Sequence, residues 1–308
     1  MNKTGRVIKS TGSWYLVRVG EEDIQARLRG KFKQDNLKLT NPIAVGDYVE
    51  LALEENQATA VISSILPREN YIIRKSTRKT NFSHILASNI DQAFLIITLR
   101  NPRTSLGFID RFLVSTESFR IPTTLVVNKM DIIKKELDLE FLQDIKEIYE
   151  PLGYPVLTIS ATEGKGLEED FKQLLQGKTT LFSGHSGVGK STLLNRLVPE
   201  ANQATKEVSG FTTKGVHTTT FAEMFDYEGG FIIDTPGIKE FGILDIEEQE
   251  LSHYFVELRQ YLGQCRYNDC RHVNEPGCVV LEKLEEGYIH PYRYDSYVRI
   301  LNEEDSYR

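Results

Sequence analysis

Gly184-His185-Ser186-Gly187-Val188-Gly189-Lys190-Ser191 stands between the apolar pair Leu181-Phe182 and the helix-forming run 192–197. The octet fits G-x-x-x-x-G-K-[ST] at every fixed position, in the strand-loop-helix setting that gives the pattern its mechanism. Its glycines let backbone N–H groups turn inward around phosphate oxygens, and the helix that follows adds the partial positive charge of its N-terminus. Lys190 is expected to bridge the β- and γ-phosphates, and the Ser191 hydroxyl to ligate Mg²⁺. Such a loop works at the carboxyl end of a strand in a sheet covered by helices, so companion strands must flank it.

Those strands are legible on both sides. Short apolar runs at 94–97, 124–127, 156–159, 181–182 and 231–233 alternate with amphipathic stretches around 106–119, 139–150, 166–175 and 190–198. That alternation predicts a parallel sheet covered on both faces. Three of the strand ends carry further chemistry. Asn128-Lys129-Met130-Asp131 follows 124–127 and places a carboxylate and an amide on one short loop. A carboxylate accepts both N1–H and the exocyclic amine of guanine, whereas adenine would leave that charge unpaired, so guanine is selected. Ser160-Ala161, past 156–159, is where a small residue could bring a backbone N–H to the guanine carbonyl. Together with Thr192, the octet 184–191, Asn128, Lys129, Asp131, Ser160 and Ala161 form the expected nucleotide-binding set.

Asp234-Thr235-Pro236-Gly237, after 231–233, supplies a carboxylate for the outer sphere of Mg²⁺ and a glycine N–H able to meet a γ-phosphate. The Gly/Thr-rich tract 210–220 before it reads as a loop ordered by γ-phosphate and metal. Thr218 and Thr219 are its candidate residues, Thr219 joining Ser191 as a Mg²⁺ ligand. With Lys190, Ser191, Asp234 and Gly237 they make up the expected catalytic set. Ile238 stands after Gly237 where many such sites have a water-orienting Gln, so unaided hydrolysis should be slow. The missing polar group must then come from another loop, from K⁺ or from a partner; His217 is the nearest candidate in sequence.

The chain has 308 residues, a net charge of −7, 40% hydrophobic and 26% charged residues, enough for two or three packed domains. No apolar run approaches the roughly 20 residues of a membrane-spanning helix, so no membrane association is expected. The first six residues carry no apolar segment either, which makes the cytoplasm the expected location. Residues 1–79 hold 14 Lys/Arg against 9 Asp/Glu, which leaves 23 against 35 for the remainder. Local positive charge of this kind can hold RNA phosphates. Within that basic part, five short alternating runs (6–8, 14–19, 24–28, 47–51, 60–62) predict a small closed barrel of the oligonucleotide-binding (OB) or SH3-like kind. Arg27, Arg29, Lys31 and Lys33 lie close to Phe32, cations beside a ring on which a base could stack. The alternative is that Trp14, Phe32 and Tyr48 are core. Residues 67–90 read as a polar connection with a basic knot at Arg74, Lys75, Arg78 and Lys79.

All three cysteines fall in Cys265-x₄-Cys270-x-His272-x₅-Cys278. Three thiolates and an imidazole can close a tetrahedral Zn²⁺ site with no position left for water, which makes the site structural. A charged, Tyr-rich helical tail follows.

The guanine motifs precede the phosphate loop, the reverse of the usual order in regulatory GTPases. A circular permutation explains this, because each strand end keeps its place in space whichever connection is cut. With a barrel in front and a Cys/His cluster behind, the chain resembles the ribosome-small-subunit-dependent GTPase A family (RsgA, also called YjeQ) over nearly its whole length. The resemblance implies a multidomain protein: an OB-like, RNA-binding β-barrel at 1–70, a circularly permuted α/β P-loop GTPase domain at 71–242, and a mainly helical zinc-binding domain at 243–308. It further implies GTP/GDP and Mg²⁺ as cofactors beside one structural Zn²⁺, the small ribosomal subunit and its rRNA as partners, hydrolysis stimulated by that subunit, and a role in its late maturation. Some members carry a catalytic His past Asp-x-x-Gly; Asp245 aligns there, so that role is not carried over. A monomer is expected. The alternative is an RNA-binding scaffold that keeps GTP as a structural ligand.

Overall fold

The computed structural model describes residues 2–28, 42–53, 59–75, 83–201, 222–235 and 246–302. Strands β1 (Asn2–Ser10), β2 (Tyr15–Val19), β3 (Glu22–Leu28), β4 (Tyr48–Leu53) and β5 (Thr59–Ile65) pair in the order β1-β2-β3-β5-β4 and close through β1–β4. Only β3 and β5 run parallel. The period-2 pattern buries one face: Val7, Tyr15, Val17, Ala26, Val49, Leu51, Ala60 and Ile62 fill the interior. This is the small closed barrel the alternation predicts, and of the two kinds left open its strand order is the OB-like one. Trp14 and Tyr48, 42% and 41% exposed, are not part of that core. Arg29, Lys31, Phe32 and Lys33 lie outside the described residues.

Residues 67–90 differ from the polar connection read in the sequence. They contain a hairpin, β6 (Tyr71–Lys75) with β7 (Ser83–Ser88). Ile72, Ile73, Ile85, Leu86 and Ala87 are buried; two short apolar clusters divided by a polar, basic stretch of sequence had hidden the strand signal. The hairpin is buttoned to the barrel. A Cβ at Gly46 (φ +96°) would lie 2.1 Å from the Ser88 carbonyl oxygen, so only glycine permits this approach. The buried Asp47 carboxylate accepts hydrogen bonds from Arg68 Nε (2.6 Å) and Nη2 (2.7 Å) and from the Ser88 hydroxyl (2.6 Å).

Strands β8 (Gln92–Thr98), β9 (Thr123–Asn128), β10 (Val156–Thr158), β11 (Thr179–Ser183), β12 (Glu223–Tyr227) and β13 (Gly230–Asp234) form the central sheet in the order β10-β9-β8-β11-β13-β12. The first five in this order are parallel, and β12 is antiparallel to β13. Helices α1 (Leu106–Ser118) and α2 (Glu136–Tyr149) cover one face through Phe108, Phe112, Ile145 and Ile148. Helices α3 (Glu169–Leu175) and α4 (Lys190–Leu197) cover the other through Phe171, Leu175, Leu193 and Leu194. Edge strand β12 pairs with β1 at Glu223 and Lys9, which also form an ion pair at 2.6 Å. Barrel and central sheet are thereby one continuous hydrogen-bonded surface, and β12 is spared an open edge.

The last part is helical: α5 (Val256–Arg259), α6 (Val279–Glu285) and α7 (Pro291–Leu301) pack Phe255, Leu258, Val280, Ile289 and Tyr297 around Val114 of α1. Inside this interface Arg293 is fully buried, ion-paired to Asp110 of α1 and Glu257 of α5.

Candidate functional site

At the end of β11 the chain enters the phosphate loop. Gly184 takes φ +146°, and a Cβ there would sit 2.2 Å from the Ile96 carbonyl oxygen. The loop can therefore lie against the tip of β8 only without a side chain at that position. Val188 is buried and anchors the loop, while Ser186, Gly187, Ser191 and Thr192 face solvent. His185 stacks on Phe108 of α1 with ring centroids 3.6 Å apart.

Lys190 folds back over this loop, donating to the carbonyl oxygens of Gly184 (2.7 Å) and His185 (3.1 Å) while only 7% exposed. Burial lowers its pKa, and the Asp234 carboxylate opposes that shift. Asp234, at the end of β13, is 8% exposed and its Oδ1 has no hydrogen-bond partner. Burial pushes its pKa up to about 6 against the pull of Lys190. An orphaned buried carboxylate oxygen beside a phosphate loop is the environment that a hydrated divalent cation would relieve, so these residues fit Mg²⁺.

The loop that begins at Asn128 lies directly against the 184–191 loop. Asn128 Nδ2 donates to the Val188 carbonyl oxygen (2.9 Å), and Asn128 Oδ1 accepts from the Ala161 N–H (3.0 Å). A Cβ at Gly189 (φ +97°) would stand 2.4 Å from Asn128 Nδ2, so this glycine makes room for the contact. Asn128 thus ties three strand ends together. The Ser160 hydroxyl donates to Asp131 Oδ1 (2.6 Å), aiming the carboxylate, and itself accepts from the Glu163 N–H (3.1 Å). Lys129, in the left-handed region at φ +66°, donates to the Asn101 carbonyl oxygen (2.6 Å). Asp131, Ile159, Ser160, Glu163 and Lys165 line a cleft of about 220 Å³. The structure brings together Asn128, Lys129, Asp131, Ser160, Ala161, residues 184–192 and Asp234. Thr218, Thr219, Gly237, His217, Ile238 and Asp245 lie outside the described residues. The double role of Asn128 and the clamp by Arg196 described below were not read in the sequence; both are contacts across more than 30 positions.

The ligand atoms of Cys265, Cys270, His272 and Cys278 all lie within 4.8 Å of one another. His272 Nδ1 is 3.5 Å from the sulfurs of Cys265 and Cys278, and those sulfurs are 4.0 Å apart. A tetrahedral zinc with Zn–S near 2.3 Å and Zn–N near 2.0 Å requires S···S of about 3.8 Å and S···N of about 3.5 Å. The donor set fits that ion in both chemistry and spacing. Glu275 shapes the turn between the ligands: it accepts the N–H groups of Arg271 (2.8 Å), Val273 (2.9 Å) and Asn274 (3.1 Å). Burial would raise its pKa, but these donors hold it down at about 2. Tyr294 and Tyr297 of α7 donate to the carbonyl oxygens of His272 (2.8 Å) and Arg271 (2.7 Å), fastening the turn to the helix.

The RsgA GTPase family matches residues 65–244, and the RsgA N-terminal domain matches 4–62. The chain belongs to the RsgA GTPase family. A relative from Cytophaga hutchinsonii, the small ribosomal subunit biogenesis GTPase RsgA, is 52% identical over 307 residues and 99% of each chain. The crystal structure of YjeQ from Thermotoga maritima matches with a TM-score of 0.76 at 36% identity over 100% of both chains. YloQ, described as a circularly permuted GTPase, matches at 0.74 and 32% identity over 100% of this chain and 97% of its own. As an RsgA-family GTPase the chain hydrolyses GTP to GDP with Mg²⁺, and its permuted order agrees with the strand ends described above.

Proposed function

We propose that this GTPase acts in biogenesis of the small ribosomal subunit, binding the subunit and its rRNA, with hydrolysis stimulated by the subunit timing its release. The observation that carries the nucleotide half is Asn128, whose amide joins the phosphate loop and the Ser160-Ala161 loop at one point. The ribosomal half comes from what the relatives are named for. In this reading residues 1–70 hold rRNA, 71–242 bind and hydrolyse GTP, and 243–308 are a zinc-stabilised docking unit. Asp131 recognises the guanine edge, supported by Asn128, Lys129, Ser160 and Ala161. Residues 184–192 cradle the phosphates, Lys190 neutralises their charge, and Ser191 with Thr219 holds Mg²⁺ beside Asp234. Thr218 and the Gly237 N–H serve the γ-phosphate. Bound Mg²⁺ would offset the charge that develops on the phosphate oxygens. The protein works as a cytoplasmic monomer without a membrane; among the described residues no helix is long and apolar enough to cross one.

Ile238 supplies no polar group to orient water, so the free enzyme should be slow. Purified small subunits are expected to raise GTP turnover on the order of 10²-fold, the worth of one well-placed stabilising donor. Steady-state phosphate release with and without subunits checks this. Equal rates would favour a scaffold that holds GTP as a ligand.

A further inference from the structure

The loop after β10 aims both guanine-reading side chains, through Ser160 on Asp131 and Ala161 on Asn128. A side chain of the phosphate helix also holds that loop down. Arg196, in α4, donates from Nε to the Ala161 carbonyl oxygen (2.7 Å) and from Nη2 to the Thr162 carbonyl oxygen (2.5 Å). Gly164, at φ +84°, leaves room for the fork: a Cβ there would lie 2.8 Å from Arg196 Nη1. The same helix begins with Lys190 and Ser191 and is fixed in the core by Leu193 and Leu194.

We infer that Arg196 is a positioning residue for guanine selectivity, clamping the 160–164 loop to the phosphate helix so that Asp131 and Asn128 are held in base-reading orientation. The inference rests on the guanine reading under Proposed function. A planar guanidinium presents parallel donors that meet two successive carbonyls at once, and an ammonium cannot reproduce this. Without the clamp the 160–164 loop gains freedom, Ser160 no longer fixes the rotamer of Asp131, and the paired bonds to N1–H and the exocyclic amine weaken. Phosphate contacts stay, because α4 keeps its place through its apolar face. Base discrimination should therefore fall more than overall affinity.

The test is competition of GDP and IDP against a fluorescent GDP on the full-length chain. IDP lacks the exocyclic amine, so the GDP-to-IDP affinity ratio reports how well the carboxylate is aimed. Arg196→Ala is expected to cut that ratio about tenfold, the worth of a charge-assisted hydrogen bond. Arg196→Lys, reaching one carbonyl, should cut it about threefold, and carries the test alone if the alanine variant does not fold. An unchanged ratio in the folded variants, with GDP and IDP weakening in parallel or not at all, overturns the inference and leaves the guanine reading standing. A wild-type ratio near one overturns the guanine reading itself.

Discussion

Arg293→Ala is expected to cost about 3–5 kcal/mol of stability, the usual consequence of stripping one partner from a buried ion pair. Arg293 has no exposed surface, and neither does Asp110. Its guanidinium donates to both oxygens of Glu257, at 2.6 and 3.2 Å, and to Asp110 Oδ1. The Tyr149 hydroxyl donates to that same Asp110 oxygen at 2.6 Å. Burial alone would lower the pKa of Arg293, but Asp110 and Glu257 hold it well above its ordinary value. Alanine would leave two carboxylates buried without their cation, under a cavity lined by Phe255, whose ring centroid is 4.6 Å from the guanidinium carbon. Arg293→Lys should recover little, since one ammonium cannot serve both carboxylates in the geometry of the fork. Replacing all three charges together with apolar residues of matching volume should cost far less than the single change, because no charge is then stranded. Denaturant unfolding of the single and triple variants measures the difference. A loss under about 1 kcal/mol for Arg293→Ala would mean that the carboxylates find water and the network is not a dry one.

That network also shows where sequence reading stops. The phosphate loop was legible because its whole pattern, from Gly184 to Ser191, lies in eight consecutive residues between a strand and a helix. The barrel was legible because closure imposes strict alternation, visible in Tyr15 and Val17 or Ala60 and Ile62. The zinc ligands lie within 14 positions and their spacing is itself the signal. By contrast, Arg293 and Asp110 are 183 positions apart, and an arginine in a Tyr-rich amphipathic helix reads as a solvated face until its partners are known. The pairing of β12 with β1 is equally hidden, since Glu223 and Lys9 look like ordinary surface charges. Trp14 and Tyr48 could be read as core or as surface, because hydrophobicity does not tell which side of a short strand faces inward. In each case what was missing was a long-range contact, which local propensity and motif spacing do not encode.

Zinc removal is expected to have a still larger effect, confined to one end of the molecule. Closing three thiolates and an imidazole on one ion contributes about 10–16 kcal/mol of apparent binding free energy in small zinc domains, where it is folding free energy. The segment 265–278 has little apolar core to replace it: Cys278 is buried, but Cys265 and Cys270 are only half-buried, and Tyr267 and Val273 are exposed. Among its other supports are the hydrogen bonds of Glu275, those from Tyr294 and Tyr297 to the turn, and the Arg271–Glu248 ion pair at 2.7 Å. Stripping one zinc per chain with a chelator, or making Cys278→Ser, should therefore open the turn and unfasten α7, lowering the melting temperature of that end by on the order of 20 °C or more. GDP affinity should stay within about twofold, because the proposed nucleotide residues stand on or just after β9, β10, β11 and β13 and in α4, none of which contributes a zinc ligand. Since α7 also carries Arg293, the two perturbations must not add: once the turn is open, the guanidinium has already lost part of its enclosure. Arg293→Ala should accordingly cost less in the zinc-free protein than in the zinc-loaded one. Hydrogen exchange of 265–301 against 179–197, with and without metal, reads both parts at once. Retained protection at the C-terminal end after complete metal removal, or equal costs of Arg293→Ala in the two states, would show that α7 is held by its apolar face alone.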